Sequence, residues 1–260
     1  MTSSFKYGNI FAYKCNKFPL NLGGLTCDIM EIKQAERIQT SILNGLEKKA
    51  LVWLAERQPK WVTSDFLSFI GFCGSVMIAV GYALTRISPD YLWLATAGLL
   101  VNWYGDSLDG TLARVRKTQR PVYGYYLDHS LDCINEMLMF IGLGLSPLMD
   151  MRIAMLILIA YLLMTVNVSI NAHLKGQFRL TYAKIGPTEF RIIAAIINTV
   201  LVCSASIRSV RVPVSIFGTG INLSVLDICG IAIFFIIFLM YVVSFLMDAK
   251  GYAGIDPPKK

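Results

Sequence analysis

Residues 106–132 read DSLDGTLARVRKTQRPVYGYYLDHSLD, and this stretch decides the fold because it places four acids inside an otherwise apolar chain. The acids are Asp106, Asp109, Asp128 and Asp132. Carboxylates are costly in a membrane segment, and those found there usually serve a function. The rest of the chain is therefore expected to be a scaffold that holds them.

The sequence around this stretch is typical of a polytopic membrane protein. Of its 260 residues, 55% are hydrophobic and 16% are charged, whereas an average soluble domain has about 25% charged residues. Apolar runs close to the roughly 20 residues that cross a bilayer predict six transmembrane helices. Their ranges are 62–85, 92–113, 124–145, 152–172, 189–207 and 223–247.

The predicted fold class is all-α, in three parts. Residues 1–61 are expected to form a cytoplasmic tail with an amphipathic helix, residues 62–248 the six-helix transmembrane domain, and residues 249–260 a second cytoplasmic tail. The amphipathic helix is predicted over 31–58, where apolar residues recur at helical spacing beside basic residues and Trp53. Such a helix suits the membrane interface. A helix that binds a partner or a second copy is the alternative.

The distribution of positive charge predicts the topology. Of the 24 Lys and Arg residues, twenty lie before Trp61, in the 114–120 and 174–191 loops or in the C-terminal tail. The positive-inside rule then predicts that both termini are cytoplasmic and that the acids face the cytoplasm. The net charge of +7 is explained by topology and attraction to anionic membrane lipids. Basic and aromatic residues are not interleaved as in RNA-binding proteins, so no nucleic-acid partner is expected.

Two helical stripes carry the acids. Asn102, Asp106, Asp109, Gly110 and Ala113 share one face of the second transmembrane helix, since steps of three and four residues follow the helical period. One face of this helix therefore presents two carboxylates, an amide and two small residues.

The third transmembrane helix carries a matching stripe, in which Gly124, Asp128 and Asp132 recur at every fourth position. Asn135 and Glu136 extend this stripe. A short loop makes the two helices antiparallel neighbours, so the stripes are expected to face each other. Gly110 and Gly124 are expected to let the two backbones approach closely, as small residues do between membrane helices.

Carboxylates at this spacing are hard oxygen ligands, which suit Mg²⁺, Mn²⁺ or Ca²⁺, and Mg²⁺ or Mn²⁺ is the cofactor expected here. Two ions would balance four acids and suit phosphoryl chemistry. One alternative is that the acids pair with Arg114, Arg116 or Arg120 and have only a structural role. Another is a divalent-cation transporter, because acids inside a membrane can line an ion path.

Eight positions form one pattern, Asp106-x-x-Asp109-Gly110-x-x-Ala113-Arg114 and then Gly124-x-x-x-Asp128-x-x-x-Asp132. This pattern resembles the signature of the CDP-alcohol phosphotransferases, including the nine-residue interval between its two halves. The six-helix layout behind an amphipathic helix is also similar to that family. The resemblance extends over residues 31–248, although only the signature is specific.

The resemblance implies transfer of a substituted phosphate group from a CDP-alcohol to an acceptor hydroxyl, with release of CMP, in phospholipid biosynthesis. It implies that Asp106, Asp109 and Asp128 bind the metal ions. Asp132 would bind the second ion, act as the general base for the acceptor hydroxyl, or do both. A homodimer is also implied. The residues implied in binding the CDP group are Asp109, Gly110, Ala113, Arg114 and Gly124.

The acceptor site is predicted in the basic segment between the fourth and fifth transmembrane helices. Its candidate residues are His173, Arg179, Lys184 and Arg191. In relatives that use a phosphorylated acceptor, basic residues of this region hold the acceptor's phosphate. Ordinary positive-inside charge explains the same residues equally well.

The resemblance leaves two kinds of donor. In one branch CDP-diacylglycerol reacts with a soluble polyol or its phosphate, and the compact six-helix length is similar to this branch. In the other branch CDP-choline or CDP-ethanolamine reacts with a diacylglycerol-like lipid. The motif Asp128-His129-x-x-Asp132 is more similar to the second branch. CDP-diacylglycerol is the preferred hypothesis.

Overall fold

The computed structural model describes residues 15–16, 29–30, 36–38, 44–175, 177–179, 187–216, 219–256 and 258. Helices make up most of these residues, which confirms the predicted all-α class. In chain order they are α1 (Asn44–Glu56), α2 (Ser64–Leu84), α3 (Tyr91–Val115), α4 (Pro121–Leu145), α5 (Met151–Lys175), α6 (Pro187–Cys203), α7 (Ala205–Ser209) and α8 (Val225–Ile255).

The ranges predicted for transmembrane helices correspond to α2 through α6 and α8, and the largest differences lie at the ends of the last two. The predicted helix over 189–207 is interrupted at Ser204, whose hydroxyl accepts a hydrogen bond from the Ile207 backbone N–H (3.3 Å). Ser204 thereby caps the short helix α7, as serine often does at a helix start. The last helix, predicted to end at 247, continues through Ile255.

Three pairs of short strands were not predicted. They are β1 (Cys15–Asn16) antiparallel to β2 (Ile29–Met30), β3 (Glu36–Ile38) parallel to β4 (Gln177–Arg179), and β5 (Arg211–Ile216) antiparallel to β6 (Thr219–Ser224). The helix predicted over 31–58 is therefore wrong in its first part, because β3 lies there and α1 begins at Asn44. The partner strand β4 is distant in sequence, and a local helical period carries no information about such a pairing.

Within the described residues, three helices are long and apolar enough to cross a membrane. They are α2, residues 151–171 of α5, and α8. By length and composition, these helices are typical of an integral membrane protein. The acids of α3 and α4 lower their apolar character, and α6 has only 17 residues. The arrangement of six spans therefore stays a prediction.

Glycines bring α2 and α3 into backbone contact. A Cβ added to Gly74 would overlap the backbone of Asn102, and one added to Gly105 would overlap the backbone of Gly71. Asn102 also donates hydrogen bonds from Nδ2 to the Gly71 carbonyl (3.1 Å) and to Ser75 Oγ (2.9 Å). Small residues permit such close packing in membranes, and a buried amide strengthens it. The helix that carries Asp106 is thus firmly held by α2.

The prediction that Gly110 and Gly124 bring the second and third transmembrane helices together is wrong. Outside the adjoining turns of its own helix, no described atom lies within 4 Å of a Cβ built on Gly124, and a Cβ on Gly110 meets only Arg114 Nη1 at 3.4 Å. Among the described helices, α3 packs on α1, α2 and α6, whereas α4 packs on α2 and α5, with Gly142 against Ala79. Because α2 makes the close contacts with both, α3 and α4 stand apart and their acidic faces border a gap.

Gly81→Ala is expected to lower the stability of the α2–α3 pair. The new Cβ would overlap the backbone of Ala95, and such overpacking costs about 1–3 kcal/mol. Thermal unfolding in detergent should show the loss as a lower Tm. Gly251→Ala is the matched control, since it is also helical and meets open space. It should be neutral or slightly stabilising. Equal Tm values for the two variants would contradict the close packing.

Candidate active site

Three of the predicted acids meet in the gap between α3 and α4. One carboxylate oxygen each from Asp106, Asp128 and Asp132 lies within 4.8 Å of the others. Asp106 comes from α3, and the other two lie one helical turn apart on α4. The acidic faces therefore converge through their side chains across the gap, although the two backbones are not closely packed.

Asp109 lies on the α2 side of this cluster. Its Oδ2 accepts a hydrogen bond from Ser68 Oγ (2.5 Å), and its Oδ1 accepts one from the Gly110 backbone N–H. Ser64 Oγ donates to the Asp109 backbone carbonyl (3.0 Å). A narrow crevice is lined by side chains of α2, α3 and α4, and these include Ser68, Asp106, Asp109, Asp128 and Asn135. The structure thus gathers all four predicted acids around one site.

Arg191 of α6 provides the positive charge at this site. Its Nη2 donates to Asp106 Oδ2 (2.6 Å) and its Nε donates to Asn102 Oδ1 (2.9 Å). The side chain is 13% exposed, so little solvent screens the ion pair. The sequence predicted Arg191 as an acceptor-binding residue, and the structure places it beside a predicted metal ligand.

One alternative was that Arg116 or Arg120 pairs with the four acids. The described contacts of these two arginines are to other residues. Arg120 pairs with Asp65 at the start of α2. Arg116 Nη2 donates to the backbone carbonyls of Gln58 (2.8 Å) and Pro59 (2.9 Å). These two arginines therefore tie the α3–α4 loop to the segment that leads into α2.

The other predicted site residues fall into two groups. Some lie at the end of α3 or the start of α4, and the side chains of the others are not among those that the structure describes. Ala113 and Arg114 lie in the last turns of α3, and Arg114 Nη2 donates to Thr111 Oγ1 (2.8 Å). Gly124 lies in the first turn of α4. The side chains of His173 and Arg179, and the whole of Lys184, lie outside the described residues.

Ser68 is a site residue that the sequence did not single out. Its hydroxyl contacts Asp109, yet a serine in an apolar helix carries no chemical signal because small polar residues are common there. Asn135 and Glu136, which extend the α4 stripe, each have one buried side-chain oxygen with no hydrogen-bond partner within the described part of the chain. The polar surface thus extends beyond the four acids.

The donor set suits a divalent cation. Oxygen atoms from three carboxylates within 4.8 Å can surround one hard cation at its usual oxygen distances of about 2.0–2.6 Å. Three carboxylates this close together also repel one another, and a bound cation would reduce that repulsion. The residues present therefore fit the predicted metal.

A comparison with known families agrees with this geometry. A family model for CDP-alcohol phosphatidyltransferase matches residues 61–221, more than half of the chain. The matched range contains all eight signature positions and Arg191.

The chain belongs to the CDP-alcohol phosphatidyltransferase family.

Membership of the CDP-alcohol phosphatidyltransferases identifies the protein as a membrane transferase of lipid synthesis. Its substrates are a CDP-alcohol and an alcohol, and phosphotransfer from the CDP-alcohol is its reaction class. The family uses divalent metal ions, and the cluster of Asp106, Asp128 and Asp132 is where this family member can hold one.

Proposed function

We propose that the protein transfers the phosphatidyl group of CDP-diacylglycerol to a hydroxyl of a small polar acceptor and releases CMP. The observation that carries this proposal is the convergence of Asp106, Asp128 and Asp132 beside Asp109. Carboxylates from two helices bordering a gap would hold two Mg²⁺ or Mn²⁺ ions, whose positive charge would bind the donor's diphosphate.

Each acid has a proposed role. Asp106, Asp109 and Asp128 hold the cations, which when bound supply positive charge for the diphosphate. Asp132 takes the proton of the acceptor hydroxyl, and it also reaches the same cluster of oxygens. The acceptor oxygen forms a bond to the phosphorus distal to cytidine while the bond from that phosphorus to CMP breaks. The transfer is direct, so no covalent enzyme intermediate forms.

The open end of the gap is the proposed nucleotide site. Outside the adjoining turns of α4, no described atom lies within 4 Å of a Cβ on Gly124, and Gly110 and Ala113 add little side-chain volume. This space suits the cytidine. Arg114 in the same region is the proposed phosphate ligand, because a guanidinium binds phosphate through paired N–H donors.

Arg191 is the proposed link to the acceptor. Its described hydrogen bonds to Asn102 and Asp106 use two of its five N–H donors. We propose that further N–H donors of Arg191 bind an anionic or hydroxyl group of the acceptor. His173, Arg179 and Lys184 are proposed to join it, on the basis of their positions in the sequence alone.

Arg191→Ala is expected to raise the acceptor KM by about tenfold or more and the donor KM much less. A charge-assisted hydrogen bond contributes about 1.5–3 kcal/mol, and about 1.4 kcal/mol corresponds to a factor of ten. Steady-state CMP formation with each substrate varied in turn measures both constants. Arg152→Ala removes a highly exposed arginine at the other end of the bundle and serves as the control. An unchanged acceptor KM would return Arg191 to a purely structural role.

Product identification separates the two donor branches. CDP-diacylglycerol with soluble polyols is expected to give a new phospholipid, which mass spectrometry would detect. CDP-choline or CDP-ethanolamine with diacylglycerol tests the second branch. Family membership favours either transferase over the divalent-cation transporter.

The membrane arrangement is part of the same proposal. Both termini and the metal site face the cytoplasm, and α1 lies at the membrane surface. Six helices of each subunit span the bilayer, and two subunits form a homodimer. The apolar outer face of α8 supports lipid contact, since Phe235 is 62% exposed and Leu239 is 64% exposed. Apolar patches of this size are unfavourable in water.

A further inference from the structure

Glu47 of α1 joins three helices through one carboxylate oxygen. Its Oε1 accepts a hydrogen bond from Trp103 Nε1 of α3 (2.8 Å) and another from Thr188 Oγ1 of α6 (2.6 Å). The three residues are far apart in sequence, so this junction exists only in the folded chain. Hydrogen bonds to a charged acceptor are stronger than neutral ones.

Helix α1 is a firm support for this carboxylate. Leu51 and Ala55 of α1 are buried against Leu108 and Leu112 of α3, in one apolar cluster that Trp103 also borders. The burial of these side chains fixes α1 on the outer side of α3. Glu47 therefore extends from a well-packed helix and not from a loose tail.

The cytoplasm-facing end of α6 has weaker apolar support. Phe190, Ile192 and Ile193 are all exposed large side chains in its first two turns. Polar contacts consequently determine much of how this end of α6 lies against α3 among the described residues. Glu47 makes one of these contacts, and Arg191 makes the others.

The two contacts lie next to each other on the same pair of helices. Thr188 precedes Arg191 by three residues, about one turn of α6. On α3, Trp103 directly follows Asn102, which accepts a hydrogen bond from Arg191. The hydrogen bond between Glu47 and Thr188 thus fixes the position of the first turn of α6 along and around the helix axis. This turn places Arg191 beside Asp106.

We propose that Glu47 is a positioning residue for the acceptor side of the active site, acting through Thr188 on Arg191. This inference rests on the proposed function of Arg191. It gives the segment before the first transmembrane helix a part in acceptor binding, although Glu47 itself does not touch the reacting groups.

Two experiments test the proposal, and the first does not depend on activity. Thermal unfolding of Glu47→Ala, Thr188→Val and the double variant measures the contact. The double variant is expected to have the Tm of Glu47→Ala, because Glu47→Ala already removes the hydrogen bond that Thr188→Val removes. Additive losses of Tm would overturn the contact, whether or not transfer activity is found.

The second experiment measures the acceptor KM in a double-mutant cycle. Glu47→Ala is expected to raise the acceptor KM by about three- to tenfold with little change in kcat or donor KM. In the Arg191→Ala background the same change should add nothing. Glu47→Gln keeps a neutral acceptor oxygen and should raise the acceptor KM less than Glu47→Ala does, and Glu56→Ala is the control on the same helix.

Each outcome is decisive for the role of Glu47. An equal rise of the acceptor KM in both backgrounds, or a fall in kcat alone, would overturn the positioning role. If Glu47→Ala does not fold, Thr188→Val makes the same measurement from the α6 side. Absence of transfer with every CDP-alcohol would refute the proposed function and leave the Tm cycle as a separate result.

Discussion

Asp132→Asn is expected to lower CMP formation by about a thousandfold or more, because general-base contributions alone reach about 10²–10⁴. Asparagine has nearly the same shape but cannot take a proton from the acceptor hydroxyl. It is also a weaker ligand than a carboxylate in a cluster where Asp106 and Asp128 lie within 4.8 Å. Initial rates of CMP release at saturating substrates would measure the effect.

The matched control is Asp150→Asn. Asp150 pairs with Arg152 (2.7 Å) in the loop before α5, far along the chain from the acidic stripes. The hydrogen bond from Arg152 holds the pKa of Asp150 below its usual range, so the change should cost only stability. Activity near that of the unaltered protein in Asp132→Asn would refute the assigned role of Asp132.

Removal of divalent cations is expected to stop turnover, and Mg²⁺ or Mn²⁺ should restore it. The carboxylates of Asp106, Asp128 and Asp132 concentrate negative charge at one place, and Arg191 pairs with Asp106 there. Without cations this site would repel the diphosphate of the donor. Turnover in excess EDTA, before and after addition of each metal, measures the dependence.

Metal binding can also be measured without turnover. Titration calorimetry with Mn²⁺ is expected to show affinity at least about tenfold lower for Asp128→Asn, since even outer partners of metal ligands contribute about 10–100-fold. Asp65→Asn is a suitable control because Asp65 pairs with Arg120 outside the cluster. Full turnover in EDTA, or unchanged Mn²⁺ affinity, would refute the metal site.

The sequence predicted the acidic faces well because they depend on a local period. Residues spaced by three and four positions share a helix face whatever the helix packs against. Asp106, Asp128 and Asp132 therefore converge as predicted. The start of α2 was within two residues of the prediction, because a cap such as Thr63 acts locally, whereas α4 starts at Pro121, three residues before the predicted start at 124.

The packing of the helices could not be predicted in the same way. Gly110 and Gly124 have signature positions but no close backbone neighbour, whereas Gly74 and Gly105 make the tight α2–α3 contact. All four are glycines in helical segments, and their sequence alone does not say which faces meet. This packing matters for function. Because α2 makes the close contacts with both α3 and α4, a gap remains between these two helices for the acidic site.

Polar contacts between residues far apart in the chain also could not be predicted from the sequence. Arg191 was predicted near the site, but its bond to Asp106 links positions 85 residues apart. Positive-inside charge would explain the same arginine equally well from the sequence. Ser68 and Glu47 gave no signal, since each gains its meaning only from a partner on another helix.

The central proposal is that this chain transfers a phosphate group from a CDP-alcohol to an alcohol at the four-aspartate site. The most direct measurement offers the purified protein CDP-diacylglycerol, Mg²⁺ or Mn²⁺ and a panel of polar alcohols, and quantifies CMP together with lipid product. The proposed mechanism predicts equal amounts of CMP and a new phospholipid, with both lost in Asp132→Asn. CMP without a lipid product, or equal product from Asp132→Asn, would contradict it.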